Sequence, residues 1–217
     1  MRKSIENNLS DLVSDYSKVR EHLMIRVYSD MTMRGTPEAA PHKRKAGLIL
    51  TCCMFYVTPA GQLITSWPIT YEQMKDYGIS AEQLWEDTLR CCLKEFPVRI
   101  DFLDRLTEDT VAIHEDIPQQ KKILVVTNTH SVGGASAFFY PGVMEDIAQR
   151  LGESYYVIPS SMHEMIVIAE SIAGCIPLTK MLREINRDVV EIKDILADFV
   201  LHYDAKTGEL ERAPEDR

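Results

Sequence analysis

Serine, histidine and glutamate come together in this 217-residue chain at Pro159-Ser160-Ser161-Met162-His163-Glu164. A serine nucleophile, an imidazole base and an orienting carboxylate are the groups that hydrolysis and acyl transfer use. In that reading Ser160 or Ser161 attacks or binds substrate, His163 is the base and Glu164 the acid. Upstream, the polar turn Asn128-Thr129-His130-Ser131-Val132-Gly133-Gly134 offers Asn128 and His130 to position a small ligand. Neighbouring residues at a strand end point in different directions, however, and a triad depends on geometry rather than adjacency. The competing reading is structural: a serine caps the segment that follows, and His163 with Glu164 satisfies nearby backbone groups or each other.

Other motifs stop short of chemistry. A helical H-E-x-x-H zinc site needs a second histidine at position 167, which is valine. His114, Glu115, Asp116, His130 and Cys175 could add ligands only across the fold, so no metal site is expected. The turn at Gly133-Gly134 has neither the Lys-Ser/Thr ending of a P-loop nor the G-x-G-x-x-G spacing of a dinucleotide fingerprint, and no cofactor is expected. It reads as a hairpin turn, for which glycine supplies positive φ. Gly134-Ala135-Ser136-Ala137-Phe138 ends in phenylalanine where a nucleophile elbow needs glycine. The pairs Glu108-Asp109, Glu115-Asp116 and Glu145-Asp146 arise easily among 33 acidic residues, and a solvated face accounts for them.

The elements that must hold these groups can be read from periodicity. Lys122 to Thr127 is an apolar strand, with Ala135 to Tyr140 as its expected partner. GVMEDIAQRLG is an amphipathic helix closed by Gly152. Tyr155 to Pro159 and Met165 to Ile168 are strands, and Pro177 opens a helix through Asn186. Glu191 to Phe199 is helical or extended. Val200–Tyr203 and Glu209–Leu210 form a closing hairpin.

Toward the N-terminus, Leu9, Leu12, Val13, Tyr16, Val19, Leu23 and Val27 carry helical spacing, predicting a helix over 8–32. Residues 46–57 and 63–67 read as a hairpin. TYEQMKDYG is a short helix closed by Gly78. Ser80 opens a longer one to Phe96, with Leu84, Trp85, Leu89, Cys92 and Leu93 on its inner face. Pro97 stops it, and 98–106 reads as a short helix or an irregular connection. The segment DTVAIHEDIPQQ gives no assignment.

The fold class expected is therefore α+β, with mixed or antiparallel sheets built from hairpins, backed by amphipathic helices, and an N-terminal helix. The expected organisation is an N-terminal helical segment over 1–36 and an α+β domain over 37–211, with two lobes dividing near 106–120. Residues 212–217 are expected to form a disordered tail.

Composition bounds the function. With 45% hydrophobic and 26% charged residues the chain can bury a core. A net charge of -9 disfavours nucleic acid and anionic membrane as partners. The one basic run, His42-Lys43-Arg44-Lys45, reads as a solvated loop before a strand. Five cysteines in two adjacent pairs and a singleton fit neither metal knuckles nor a disulfide framework. They read as reduced, buried small hydrophobes of a cytoplasmic protein. No stretch has signal-peptide or membrane-spanning character. The function expected is a soluble binding or interaction module for a protein or small ligand. It would work as a homo-oligomer or through a sheet edge such as Tyr155–Pro159. The alternative is a small-molecule hydrolase using the Ser160–Glu164 corner and the Asn128–Gly134 turn.

Two longer blocks carry a family resemblance. VVTNTHSVGGASAFFYPGVMEDIAQRLGESYYVIPSSMHE and ITYEQMKDYGISAEQLWEDTLRCC, with the later KMLREINRDVV and DFVLHYDAKTGEL, resemble a bacterial family catalogued as domain of unknown function 5688. The shared pattern is a strand ending in T-N, a G-A-[AS] step, a Y-P helix start and the YYVIPSS-x-HE corner. The resemblance spans about residues 15–210. It implies a shared fold and, in other members, a further N-terminal region of several dozen residues, and it assigns no catalytic role to any residue.

Overall fold

Runs of alternating or continuous apolar residues become the strands of two antiparallel sheets in the computed structural model, which describes residues 12–30, 32, 37–57, 63–103, 122–174 and 176–215. The described residues group into two compact units. Among them, one unit draws on residues 12–26, 37–43 and 50–97, the other on residues 27–32, 44–49 and 98–215. Both combine helices with antiparallel strands, as an α+β fold requires.

The four-stranded sheet contains β1 (Leu23–Ser29), β2 (His42–Lys45), β3 (Leu48–Val57) and β4 (Leu63–Pro68). Its order is β1-β3-β2, with β4 also paired to β3. Residues Leu48 to Phe55 are all buried, which explains a run that is apolar except for Thr51: a central strand covered on both faces has no polar side to show. The anticipated β3–β4 hairpin is present, with Met54 opposite Trp67. The turn at Pro59–Gln62 lies outside the described residues.

The expected helix over 8–32 is corrected. Residues 8–11 lie outside the described residues, α1 spans only Tyr16–Val19, and the chain is extended from Leu23. Leu23 and Val27 fit a helical stripe, but Leu23, Ile25 and Val27 together alternate as a strand does. The run LMIRVYS is rich in β-branched and aromatic residues, and pairing with β3 decides for strand. His42–Lys45 is likewise corrected from loop to β2. It stands at the sheet's edge, where charged side chains discourage unwanted pairing.

The β2–β3 connection turns at Ala46 and Gly47, with φ of +51° and +86°. Two successive positive φ values suit glycine or asparagine, and Ala46 is strained there. Ala46→Asn is expected to raise stability by about 0.5–1 kcal/mol, measured as a higher urea midpoint at unchanged m-value.

Helix α2 (Tyr71–Tyr77) forms where expected. Thr70 Oγ1 accepts the Gln73 amide at 3.2 Å, Gln73 Oε1 accepts the Thr70 amide at 2.9 Å, and Gly78 ends the helix at φ +66°. Helix α3 (Ala81–Glu95) follows its Ser80 cap. Its buried face is corrected to Leu84, Asp87, Thr88, Cys91 and Cys92, and Leu93 is 51% exposed. The burial stripe follows i, i+4 steps from Leu84, which puts Leu93 about 100° from its neighbour Cys92 and toward solvent.

Cys52, Cys53, Cys91 and Cys92 are free and buried, as expected, and Cys175 lies outside the described residues. Burial pushes the Cys52 thiol up to about 12 from an ordinary 9.0. Since the native state holds this proton more tightly than the unfolded chain, the contribution is complete below pH 9. It is lost as pH rises from there toward 12. Stability by urea titration is therefore expected to fall above pH 9, and these four thiols to resist a disulfide-exchange reagent until the protein unfolds.

The six-stranded sheet contains β5 (Val98–Phe102), β6 (Ile123–Asn128), β7 (Tyr155–Ser161), β8 (Glu164–Ala169), β9 (Leu201–Asp204) and β10 (Glu209–Arg212). The order is β10-β9-β7-β8-β6-β5. Residues 98–102 are thus a strand rather than a helix or irregular chain, and the alternation in V-R-I-D-F was the signal for it. β7 lies between β9 and β8, so Tyr155–Pro159 is not an edge. Its nearly continuous apolar sequence reflects burial on both sides.

On one face Tyr155 stacks on Tyr203 with ring centroids 4.9 Å apart and meets Phe138 edge-on. Its hydroxyl donates to the Met144 carbonyl of α4 (Val143–Leu151) at 3.1 Å. On the other face Ile158 and Ile168 pack with Leu178 and Leu182 of α6 (Leu178–Asp188) and with Ala173 of the short α5 (Glu170–Ala173). Ala135 to Tyr140, expected as a strand after a Gly133-Gly134 hairpin turn, is instead mostly the 3-10 helix Gly134–Phe139, seated on β6 and β8. Its small residues permit that close approach. The closing hairpin forms, and the Ala213 amide donates to Val200 beyond β10.

Candidate functional site

β6 and β7 both run antiparallel to β8, so the end of β6 at Asn128 and the β7–β8 turn lie at one end of the second sheet. The polar turn and the Ser160–Glu164 corner are therefore neighbours. Thr127 Oγ1 donates to the His163 carbonyl at 2.8 Å, and the Ala135 amide donates to the Met162 carbonyl at 3.3 Å. Gly134 makes this contact possible. A Cβ there would lie 2.1 Å from Thr127 Oγ1, 2.5 Å from the His163 carbonyl oxygen and 2.7 Å from the Asn128 amide nitrogen.

Asn128 is fully buried and braces the turn: its Nδ2 donates to Val132 at 2.9 Å, and its Oδ1 accepts the His130 amide at 2.9 Å. Both ends of the amide are thus engaged within the loop. The side chain of His130 is on the surface. Ser131 sits at φ +53°, an uncommon conformation for a residue with a Cβ.

β7 carries a bulge. Its register passes from Ile158↔Ile166 to Ser161↔Glu164, so β7 holds one residue more than β8 over that interval. Pro159 falls in it, where a missing N–H is tolerated. The carbonyls of Pro159 and Ser160 accept the amides of Ala197 and Leu196, each at 3.1 Å, and the Met162 amide donates to the Asp194 carbonyl at 2.9 Å. These bonds tie the irregular segment after α6 to the corner. They place Asp194 Oδ1 3.4 Å from His163 Nε2.

His163 is about one-third exposed, with Gly133 bonded to one ring nitrogen and Asp194 near the other. Nδ1 accepts the Gly133 amide at 3.2 Å, so in the neutral ring the proton is on Nε2, facing Asp194. Ser160 and Ser161 are 2% and 8% exposed, and Ser161 Oγ accepts the His163 backbone amide at 3.1 Å. Among the described residues no serine hydroxyl bonds either ring nitrogen. Glu164 pairs through its backbone with Ser161 at the start of β8, and the carboxylate at the imidazole is Asp194.

Asp194 was not legible as a site residue, because its place comes from a contact across the sheet end and no local motif marks it, and Gly133 was legible only as a turn glycine. Among the described residues no group of three or more His, Cys, Asp or Glu is placed to hold a metal ion. Among them, too, no helix is long and apolar enough to cross a membrane.

No curated protein and no solved structure matches this chain. A family model does, over residues 1–205, and it spans both units and the whole Asn128–Gly134 and Ser160–Glu164 constellation. The chain belongs to the family of unknown function DUF5688.

Proposed function

We infer that this chain is a binding or interaction module, acting in the cytoplasm, and that its Ser160–Glu164 corner is a structural brace. The observation that carries this reading is the setting of His163. Its Nδ1 takes the Gly133 amide, its Nε2 faces Asp194 at 3.4 Å, and among the described residues no serine hydroxyl bonds either nitrogen. Buried Ser160 and Ser161 agree with that role. The net charge of -9 favours a protein or small-ligand partner over nucleic acid or anionic membrane, and four buried free cysteines suit a reducing compartment.

A second reading, small-molecule hydrolysis, is favoured by one feature. A histidine–aspartate pair stands beside a β-bulge and a positive-φ serine, and bulges and strained backbone gather at active sites. A fluorophosphonate probe separates the two readings. The expected result is no covalent labelling of Ser160 or Ser161 in the native protein. Labelling of either that disappears in His163→Ala would establish a nucleophile–base pair and sink the brace reading.

A further inference from the structure

A groove of about 440 Å³ opens within the first unit, between α3 and the segment that leads into β2. Pro41 and Lys43 form one wall, and Tyr71, Glu82, Trp85 and Glu86 the other. None of these residues belongs to the His163 corner, so the groove stands or falls independently of how that corner is read. The Lys43 wall is held in place: the Pro41 carbonyl accepts the Thr51 hydroxyl at 2.8 Å. Lys43 Nζ lies 4.3 Å from the centroid of the Trp85 ring, an amine resting on an indole face.

Glu82 and Glu86 are exposed, one helical turn apart on either side of Trp85 in sequence. Among the described residues neither has an ion-pair partner, although Lys43 is in the same groove. Hydrogen bonds from its own amide and from Ser80 hold the Glu82 carboxyl below the usual carboxylate range, so it is ionised at neutral pH. Tyr71 is 50% exposed and extends the aromatic surface beside Pro41.

An indole face already attractive to a cation, flanked by two carboxylates that among the described residues have no ion-pair partner, suits a guanidinium. That group stacks on aromatic rings while donating several hydrogen bonds to carboxylates, which an ammonium does less well. Tryptophan, tyrosine and proline along an open groove are the lining that an extended polyproline-type segment takes. We propose that this groove binds an arginine-containing, proline-rich segment of a partner protein, with the arginine displacing Lys43 from Trp85 between Glu82 and Glu86. Lys43 is then a tethered competitor that holds the indole face until the partner arrives.

The test uses the full chain carrying Trp67→Phe, which leaves Trp85 as its one tryptophan. The probe is a capped Pro-Pro-Arg-Pro-Pro-Arg peptide, titrated at low ionic strength with indole emission as the readout. A saturable change is expected, absent when both arginines are replaced by glutamate. The double variant Glu82→Gln/Glu86→Gln should weaken binding about 5- to 30-fold, and both positions are exposed, so the fold is retained.

Lys43→Ala should tighten binding about 2- to 5-fold, by freeing the indole face. Lys45→Ala removes the same charge from the same strand without touching Trp85 and should tighten it less. The proposal is overturned by an unsaturable response, by equal binding of the glutamate peptide, or by Lys43→Ala binding no tighter than Lys45→Ala. Calorimetry on the unsubstituted chain carries the same comparison if Trp67→Phe perturbs folding.

Discussion

Gly134→Ala is expected to destabilise the protein by about 3–4 kcal/mol, read from urea unfolding. The added Cβ would fall 2.1 Å from Thr127 Oγ1, 2.5 Å from the His163 carbonyl oxygen and 2.7 Å from the Asn128 amide nitrogen. Two of those three atoms are backbone, one in β6 and one in the β7–β8 turn, so they cannot move aside as a flexible side chain would. Relief requires the Gly134–Phe139 turn to lift from β6 and β8, which exposes buried Ala135, Ala137 and Phe138 and breaks the bond from Thr127 to the His163 carbonyl. The backbone angles of Gly134 are not the reason, since its φ is not in the left-handed region. Gly142, which caps α4, has φ +80° but nothing within 4 Å of where a Cβ would stand, so Gly142→Ala tests strain without crowding and should cost less, about 1–2 kcal/mol. If the two substitutions cost the same, the close approach at the site is not what requires glycine at 134.

Asp87→Ala is expected to cost about 2–3 kcal/mol by the same measurement. Its carboxylate belongs to a residue only 4% exposed and collects three donors within the first unit: the Tyr16 hydroxyl at 2.8 Å, Arg20 at 3.3 Å and Arg90 at 2.6 Å. Burial, and then the bond to Asp87, push the Tyr16 hydroxyl above its ordinary range, so it remains a donor throughout the working pH range. Removing a buried charge that is paired costs most when the remaining charges are also buried. Here Arg20 and Arg90 are 41% and 50% exposed and can turn to water, which keeps the figure below that of a fully buried pair. Asp87→Asn retains the shape and some of the hydrogen bonds, and should lose less. A cost under about 0.5 kcal/mol for Asp87→Ala would show that the cluster adds nothing to stability.

Much of the secondary structure was written locally. Thr70 as a helix start, Gly78 and Gly152 as helix ends, and the apolar runs of β3, β6, β7 and β8 are all where short-range chemistry predicts them. Leu23–Ser29, Val98–Phe102 and Ala135–Tyr140 depart from their local reading for one shared reason: they are short, and their side chains are compatible with more than one conformation. Contacts far along the chain, strand pairing for the first two and packing on β6 and β8 for the third, choose among those conformations. The inner face of α3 failed similarly: Asp87 looks like a solvent residue until Tyr16, Arg20 and Arg90 are placed around it.

The sequence by itself determined the class of fold, the buried and reduced character of the paired cysteines, and the two polar segments that meet at one end of a sheet. It did so because periodicity, capping and burial preference act over a few residues. Only the tertiary structure decided what those polar segments do for each other. The β7 bulge brings the chain after α6 alongside the corner, and His163 thereby acquires Asp194 on one nitrogen while Gly133 takes the other. Contacts of that range depend on strand order and register, which no local pattern encodes.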